Sequence, residues 1–336
     1  MAKLKNFILL FLIFTSIIFL LLNPKTVSSG AIKGLLICGE IIIPSLFVFS
    51  VIGIFLVYSN CTDAICNLIT PFSKFVFGMN GKLFIIFLIS LISGYPIGAK
   101  LINELVKEKN ISEETANKML CFCVNAGPSF IILAVGEKIF QSKTLGLILF
   151  VSHIFASVIL ALFSRGRLKD NLDIKTKTRP LSEAVVSSVN EATQVIFSIC
   201  AFVILFSVIF EIFGKYNLKI FLPFLEVTVG IISTRNLFFA SFLLGFSGIS
   251  VQLQILSIIK NFKVNKIRFF VFRILHGTIS TTITFLIVKI LKISVSVFSN
   301  NKAFTLSPTN LTLSASICFL LTGIVFVSSL KKASIQ

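Results

Sequence analysis

The sequence predicts an all-α integral membrane protein, with about nine transmembrane helices in two structural repeats that contain broken helices. Three observations lead there. Of 336 residues, 56% are hydrophobic and 13% charged, against roughly 45–50% and about 25% in ordinary soluble domains. Apolar runs long enough to cross a bilayer recur along the whole chain. The few polar residues inside those runs recur at a nearly constant spacing.

A hydrocarbon core about 30 Å thick needs roughly 20 residues of helix. By that measure, spans are expected at 6–22, 35–58, 83–101, 117–135, 144–163, 191–212, 237–259, 267–290 and 311–330. The first follows Lys3 and Lys5, as a signal sequence would. It runs into Asn23-Pro24-Lys25 with no small-residue cleavage site, so it is expected to stay as an anchor. Two weaker pieces, 64–79 and 217–232, are short or interrupted by Pro and Gly and read as interfacial or re-entrant. A crossing by 64–79 would flip the first two helices. The organisation that follows is an anchor helix and linker (1–34), a first membrane repeat (35–163), a basic cytoplasmic linker (164–190), a second repeat (191–290), and a C-terminal helix and tail (291–336).

The net charge is +18, from 31 Lys+Arg against 13 Asp+Glu. The basic residues are scattered between apolar runs, which points away from nucleic acid and towards a Lys/Arg-rich cytoplasmic face. Arg165, Arg167, Lys169, Lys175, Lys177 and Arg179 crowd one connection, and Lys260, Lys263, Lys266 and Arg268 another. An even number of expected spans separates the two, so both are assigned to the cytoplasm, together with the 100–118 turn, Lys331 and Lys332. The scheme leaves the N-terminus outside, against the weak pull of Lys3 and Lys5. The seven Cys form no CxxC pair and have no His at ligand spacing, so no metal and no cofactor is expected. A disulfide between Cys61 and Cys66 is left open. There is no Walker motif for direct use of ATP.

The repeat is read from paired positions. An offset of 151 takes Glu40 to Glu191, Gly94 to Gly245, Asn110 to Asn261, Asn125 to His276 and Ser129 to Ser280, and Pro71-Phe72 matches Pro223-Phe224 at 152. Within each half, two apolar helices carry an interruption. Gly94-Tyr95-Pro96-Ile97-Gly98 removes an amide N–H and relaxes the backbone. Past the turn at Ile111, a helix with Ser112 as N-cap leads to a second break at Asn125-Ala126-Gly127-Pro128-Ser129. The second half is expected to repeat the device at Ser247-Gly248 and at His276-Gly277-Thr278-Ile279-Ser280. Freed backbone groups cannot face lipid, and half-helix N-termini suit carboxylate or phosphate oxygens. Gly94, Tyr95, Pro96, Gly98, Asn125, Gly127, Pro128, Ser129, Ser247, Gly248, His276, Thr278 and Ser280 are therefore the candidate solute-binding residues, each with kinking or packing as its plainer role. Glu40 and Glu226 lie in apolar surroundings and are candidates for H⁺ or Na⁺ coupling or for a structural hydrogen bond. Glu191 lies nearer a span end and reads as structural.

The strings SGYPIGAKL, ISEETANKML and CFCVNAGPSFIILAVG resemble the YlbJ-like sporulation integral membrane proteins. That family is grouped with the nucleoside-recognition, or Gate-domain, proteins related to concentrative nucleoside transporters. The resemblance is specific over 83–136 and looser at Glu40-x-x-x-Pro44 and Leu225-Glu226-x-Thr228-x-Gly230. It implies a multi-pass cell-membrane protein, in the forespore membrane for sporulation members, that moves a small organic anion such as dipicolinate or a nucleoside-like solute. It would make Gly94, Pro96, Gly98, Asn125, Gly127 and Pro128 the motif residues; His276-Gly277-Thr278 departs from the first-half pattern. The partners expected are the lipid bilayer and a small-molecule solute, with the oligomeric state open. A non-transporting scaffold or assembly factor is the rival reading. An enzyme is not expected, since His276 and Ser280 on one helix face make a poor catalytic pair.

Overall fold

The computed structural model describes residues 2–59, 61–165, 180–214 and 221–293, and every regular element among them is helical. α1 (Ala2–Leu22) exposes apolar side chains all round, as a helix in lipid does. α2 (Pro24–Ile37), a π-helical stretch (Cys38–Ile42) and α3 (Ile43–Tyr58) form one continuous span, Pro24–Tyr58. Amphipathic α4 (Cys61–Phe77) meets α5 (Gly81–Ser93) at 87°. Gly94 separates α5 from α6 (Tyr95–Lys107). A polar turn leads to α7 (Glu113–Met119), where Ser112 accepts the Thr115 N–H at 3.2 Å. After an irregular stretch, 120–127, a π-helix (Ser129–Ile139) precedes α8 (Lys143–Phe163). The second half holds α9 (Leu181–Phe213), α10 (Val227–Thr234), α11 (Leu237–Phe246), α12 (Gly248–Ile258) and α13 (Lys266–Ile290).

Two ion pairs mark the ends of the bundle. Near the start of α9, Glu191 pairs with Lys100 and accepts the Tyr58 hydroxyl at 2.6 Å. Near its end, Glu211 pairs with Lys33 at 2.6 Å. About 30 Å of helix separates these acids, the thickness of a hydrocarbon core. α2 approaches α9 through Gly30 and Gly34, where an added Cβ would lie 2.6 Å from the Cα of Val208 and of Ile204. This small-xxx-small spacing lets the two backbones touch.

The turns after α6 and α12 interlock at the Glu191 end. The Asn103 side-chain oxygen accepts the N–H groups of Lys260 and Asn261 at 3.1 and 3.0 Å, while Asn117 bonds the backbone of Lys263 and Asn265 at 3.0 and 2.7 Å. The hairpins α6–α7 and α12–α13 therefore run in the same sense.

The segment expected to cross at 83–101 instead turns back. Descending from this hairpin end, α5 sets Phe87 against Phe122 at 5.4 Å and Ser90 against Asn125 at 3.0 Å. α6 then returns to the same end at Lys100 and Asn103. Residues 81–107 are thus a re-entrant hairpin. Arg165, which follows α8, donates to the Phe75 carbonyl at 2.8 Å and holds α4 across the same end, so 64–79 does not cross. With one crossing fewer, Pro24–Tyr58 runs towards the hairpin end, the reverse of the expected sense. A crossing by α1 would then start at that end, which agrees with Lys3 and Lys5 if the basic end is cytoplasmic.

Among the described residues, five helices are long and apolar enough to span: Pro24–Tyr58, Lys143–Phe163, Leu181–Phe213, Leu237–Ile258 and Lys266–Ile290. The expected span 117–135 is the broken run of α7, the irregular stretch and the π-helix. The span at 311–330 and most of the 164–182 connection lie outside the described residues. Cys66 is a free thiol.

The fourth expected break is absent. α13 runs unbroken through His276, Gly277, Thr278 and Ser280, because this half has no counterpart of Pro128. Gly277 serves close packing instead: an added Cβ on Gly245 would sit 2.6 Å from the Gly277 Cα. Gly245→Val should therefore force α11 and α13 apart and cost about 1–3 kcal/mol. A thermal unfolding midpoint in detergent equal to that of the wild type would contradict this contact.

Candidate functional site

Three of the four expected breaks converge. The apex of the re-entrant hairpin is Gly94, whose φ of +89° is a conformation that favours glycine. A Cβ there would lie 3.8 Å from the Gly127 N, and one on Gly127 would meet the Ile92 carbonyl at 2.9 Å. The hairpin apex and the irregular stretch are therefore in direct contact. On the other side, Ser247 and Gly248 take φ of +69° and +70° between α11 and α12. That turn rests on the start of α10: Ser250 N–H donates to the Leu225 carbonyl at 2.8 Å, and a Cβ on Gly248 would be 3.0 Å from the Val227 N.

Between these surfaces lies a cavity of about 30 Å³, lined by Gly94, Tyr95, Pro96 and Gly127 from the first half and by Glu226, Thr228 and Gln254 from the second. That volume holds a water or two and no larger solute. α6 and α10 begin at its wall; in the first turn of α6, Pro96 has no N–H and Ile97 N–H bonds the Gly94 carbonyl at 3.3 Å. Glu226 is the N-cap of α10, buried to 3% exposure, and accepts the Val229 N–H at 2.6 Å. Its charge is offset in part by a helix N-terminus. Tyr95 lends its ring to the cavity, but its hydroxyl donates to the Leu244 carbonyl at 2.7 Å and ties the hairpin apex to α11.

The other candidate residues stand away from this space. Gly98 packs against the Cys123 carbonyl, which an added Cβ would meet at 2.0 Å. Asn125 is fully buried and donates to Ser90 Oγ at 3.0 Å and the Phe122 carbonyl at 2.8 Å. Pro128 and Ser129 begin the π-helix behind Gly127, and Ser247 donates to the Phe246 carbonyl at 2.5 Å. His276 Nε2 donates to the His153 carbonyl at 3.2 Å, while Ser280 shares a hydrogen bond with Ser241 at 2.9 Å. His276 and Ser280 thus hold different partners. Thr278 lies on the exposed face of α13 and bonds the Leu275 carbonyl at 2.9 Å, which removes it from any central site. Glu40 sits in the π-helical stretch, partly buried, with Oε1 unpartnered and its carbonyl bonded by Lys138. Glu191 is the structural ion-pair acid described above.

Two important residues were missed. Arg273, fully buried in α13, donates to the carbonyls of Cys121 and Val124. His153 on α8 accepts the Ala126 N–H at 3.0 Å and stacks on His276 with ring centroids 4.4 Å apart. With Ser157 and Asn125 both donating to the Phe122 carbonyl at 2.8 Å, they satisfy backbone groups that the break at 120–127 frees. The signal for Arg273 was available, since an arginine within an apolar helix marks a functional or structural demand.

The described residues define a polytopic α-helical membrane protein with a re-entrant hairpin and half-helices gathered at a small central cavity. Comparison with known proteins supplies the particular resemblance. The chain is similar to the sporulation integral membrane protein YlbJ of Bacillus subtilis (strain 168), with 26% identity over 321 residues covering 80% of this chain and 79% of that protein. Over that extent the chain is YlbJ-like. No family model and no solved structure matches it.

Arg273→Met should leave two buried carbonyls unsatisfied and destabilise the protein by roughly 2–5 kcal/mol, with Arg273→Lys recovering part of the loss. Equal thermal unfolding midpoints for the wild type and Arg273→Met would show that these bonds hold nothing together.

Proposed function

We propose that the protein is a secondary transporter of a small organic anion in sporulating cells, with its solute site at the central cavity. The observation that carries this is one space lined by the breaks at Gly94 and Gly127 of the first half and by the start of α10 in the second, on which the turn at Ser247-Gly248 packs. The N-terminus of α6 there offers partial positive charge to an anion, and that of α10 would do so on release of Glu226. At about 30 Å³ the cavity is too small for such an anion, so admitting one requires the hairpin apex or α10 to move. Dipicolinate, which the family resemblance implies, is the first solute to test. Glu226 is the acid placed to exchange a proton or Na⁺ as the solute passes, because it is the carboxylate lining the cavity. Glu40, about 10 Å of helix inward from Lys33, is the second candidate.

Proteoliposomes containing the protein should accumulate labelled dipicolinate above empty vesicles. Glu226→Gln should lower the rate about tenfold or more, whereas Thr278→Ala, on the outer face, should leave it unchanged. Uptake equal to empty vesicles for dipicolinate, other aromatic carboxylates and nucleosides would favour the scaffold reading, in which the breaks serve packing alone.

A further inference from the structure

A second and far larger space, about 960 Å³, opens between α2, the last turns of α9 and α10. It lies at the Glu211 end of the bundle, opposite the interlocked hairpins. One part of its lining is polar: Lys25, Lys33, Ser29, Ser207, Ser233 and Glu211. Ser207 borders this space but is buried to 4% exposure, its hydroxyl enclosed at the α2–α9 contact and without a hydrogen-bond partner. A buried hydroxyl without a partner costs free energy unless something fills that role. Glu211 would repel an anion, but Lys33 holds it at 2.6 Å, and with Lys25 the lining carries one positive charge in excess. The rest of the wall is apolar, with Ile32, Leu36 and Phe210.

From this lining we propose that the space is an outer binding site for an anion carried on an apolar body, with the carboxylate or phosphate at Lys25 and Lys33. α10 is the partition: Glu226 and Thr228 face the central cavity, and Ser233 faces the outer space. The inference deepens the transport reading and rests on it for the identity of the solute. The same chemistry could be met by a free aromatic carboxylate or by an anionic lipid headgroup.

The test uses the full chain with Cys61 and Cys318 changed to Ser and with Ser233→Cys added, held in phosphatidylcholine nanodiscs and treated with a small methanethiosulfonate. The introduced thiol should react, and dipicolinate should slow the reaction severalfold. Adding Lys33→Gln should raise the half-protecting concentration about tenfold. Protection by phosphatidylglycerol in the nanodisc, with none by dipicolinate, would identify the anion as a lipid headgroup. Ser29→Cys, on the opposite wall, repeats the measurement should Ser233→Cys fold poorly. A thiol that does not react, because other parts of the chain fill the space, would overturn the proposal, as would a rate unchanged by either anion. Protection without proteoliposome uptake would refute the transport reading and keep the outer site; uptake without protection would do the reverse.

Discussion

The structure depends on one constraint: a backbone broken inside a bilayer must find all its hydrogen-bond partners within the protein. The irregular stretch 120–127 meets it with side chains from three directions. Arg273 comes from α13, His153 and Ser157 from α8, and Asn125 from the stretch itself. Burying a guanidinium is costly unless it is hydrogen-bonded, so Arg273 and the broken segment each justify the other. The two Arg273 bonds fasten the second half of the chain to the first.

Holding the break open leaves half-helix ends, and these cluster because the hairpin apex at Gly94 stops at the same depth. A span through 83–101 would have carried its polar backbone past the centre. Turning back keeps Tyr95 and Pro96 beside Gly127, with Glu226 and Gln254 facing them from the other half. Around this centre, contacts made by small residues and ion pairs at the two ends of α9 set the frame. The cavity is thus bounded by short elements, α6, α10 and the stretch at Gly127, inside a cage of longer helices.

Much of the site was legible. Gly94, Pro96, Gly127 and Gly248 read as interruptions because Gly and Pro act on the backbone locally, and the structure breaks at Gly94, Gly127 and Gly248, with Pro96 in the first turn of α6. Glu226 stood out as an acid in apolar surroundings, and it lines the cavity. Where reading failed, the cause was tertiary. Gly277 looks like Gly127 in the string of residues, but without a following Pro the helix continues, and its missing side chain is used by Gly245. Asn125 and His276 matched at the repeat offset, yet each bonds backbone or a neighbouring helix and not a solute space. Arg273 and His153 have meaning only through carbonyls and an N–H about 150 and 27 positions away.

Composition and local chemistry alone establish a helical membrane protein, its apolar segments and the places where its backbone must yield, because hydrophobicity and Gly/Pro geometry are properties of single residues and their near neighbours. Whether an apolar segment crosses or turns back, and whether a glycine opens a helix or lets two helices touch, depends on what lies across the interface. Packing decided that 83–101 is part of a hairpin, that Pro24–Tyr58 runs towards the basic turns, and that α13 is whole. The reason is that each outcome satisfies backbone groups or fills space contributed by distant parts of the chain.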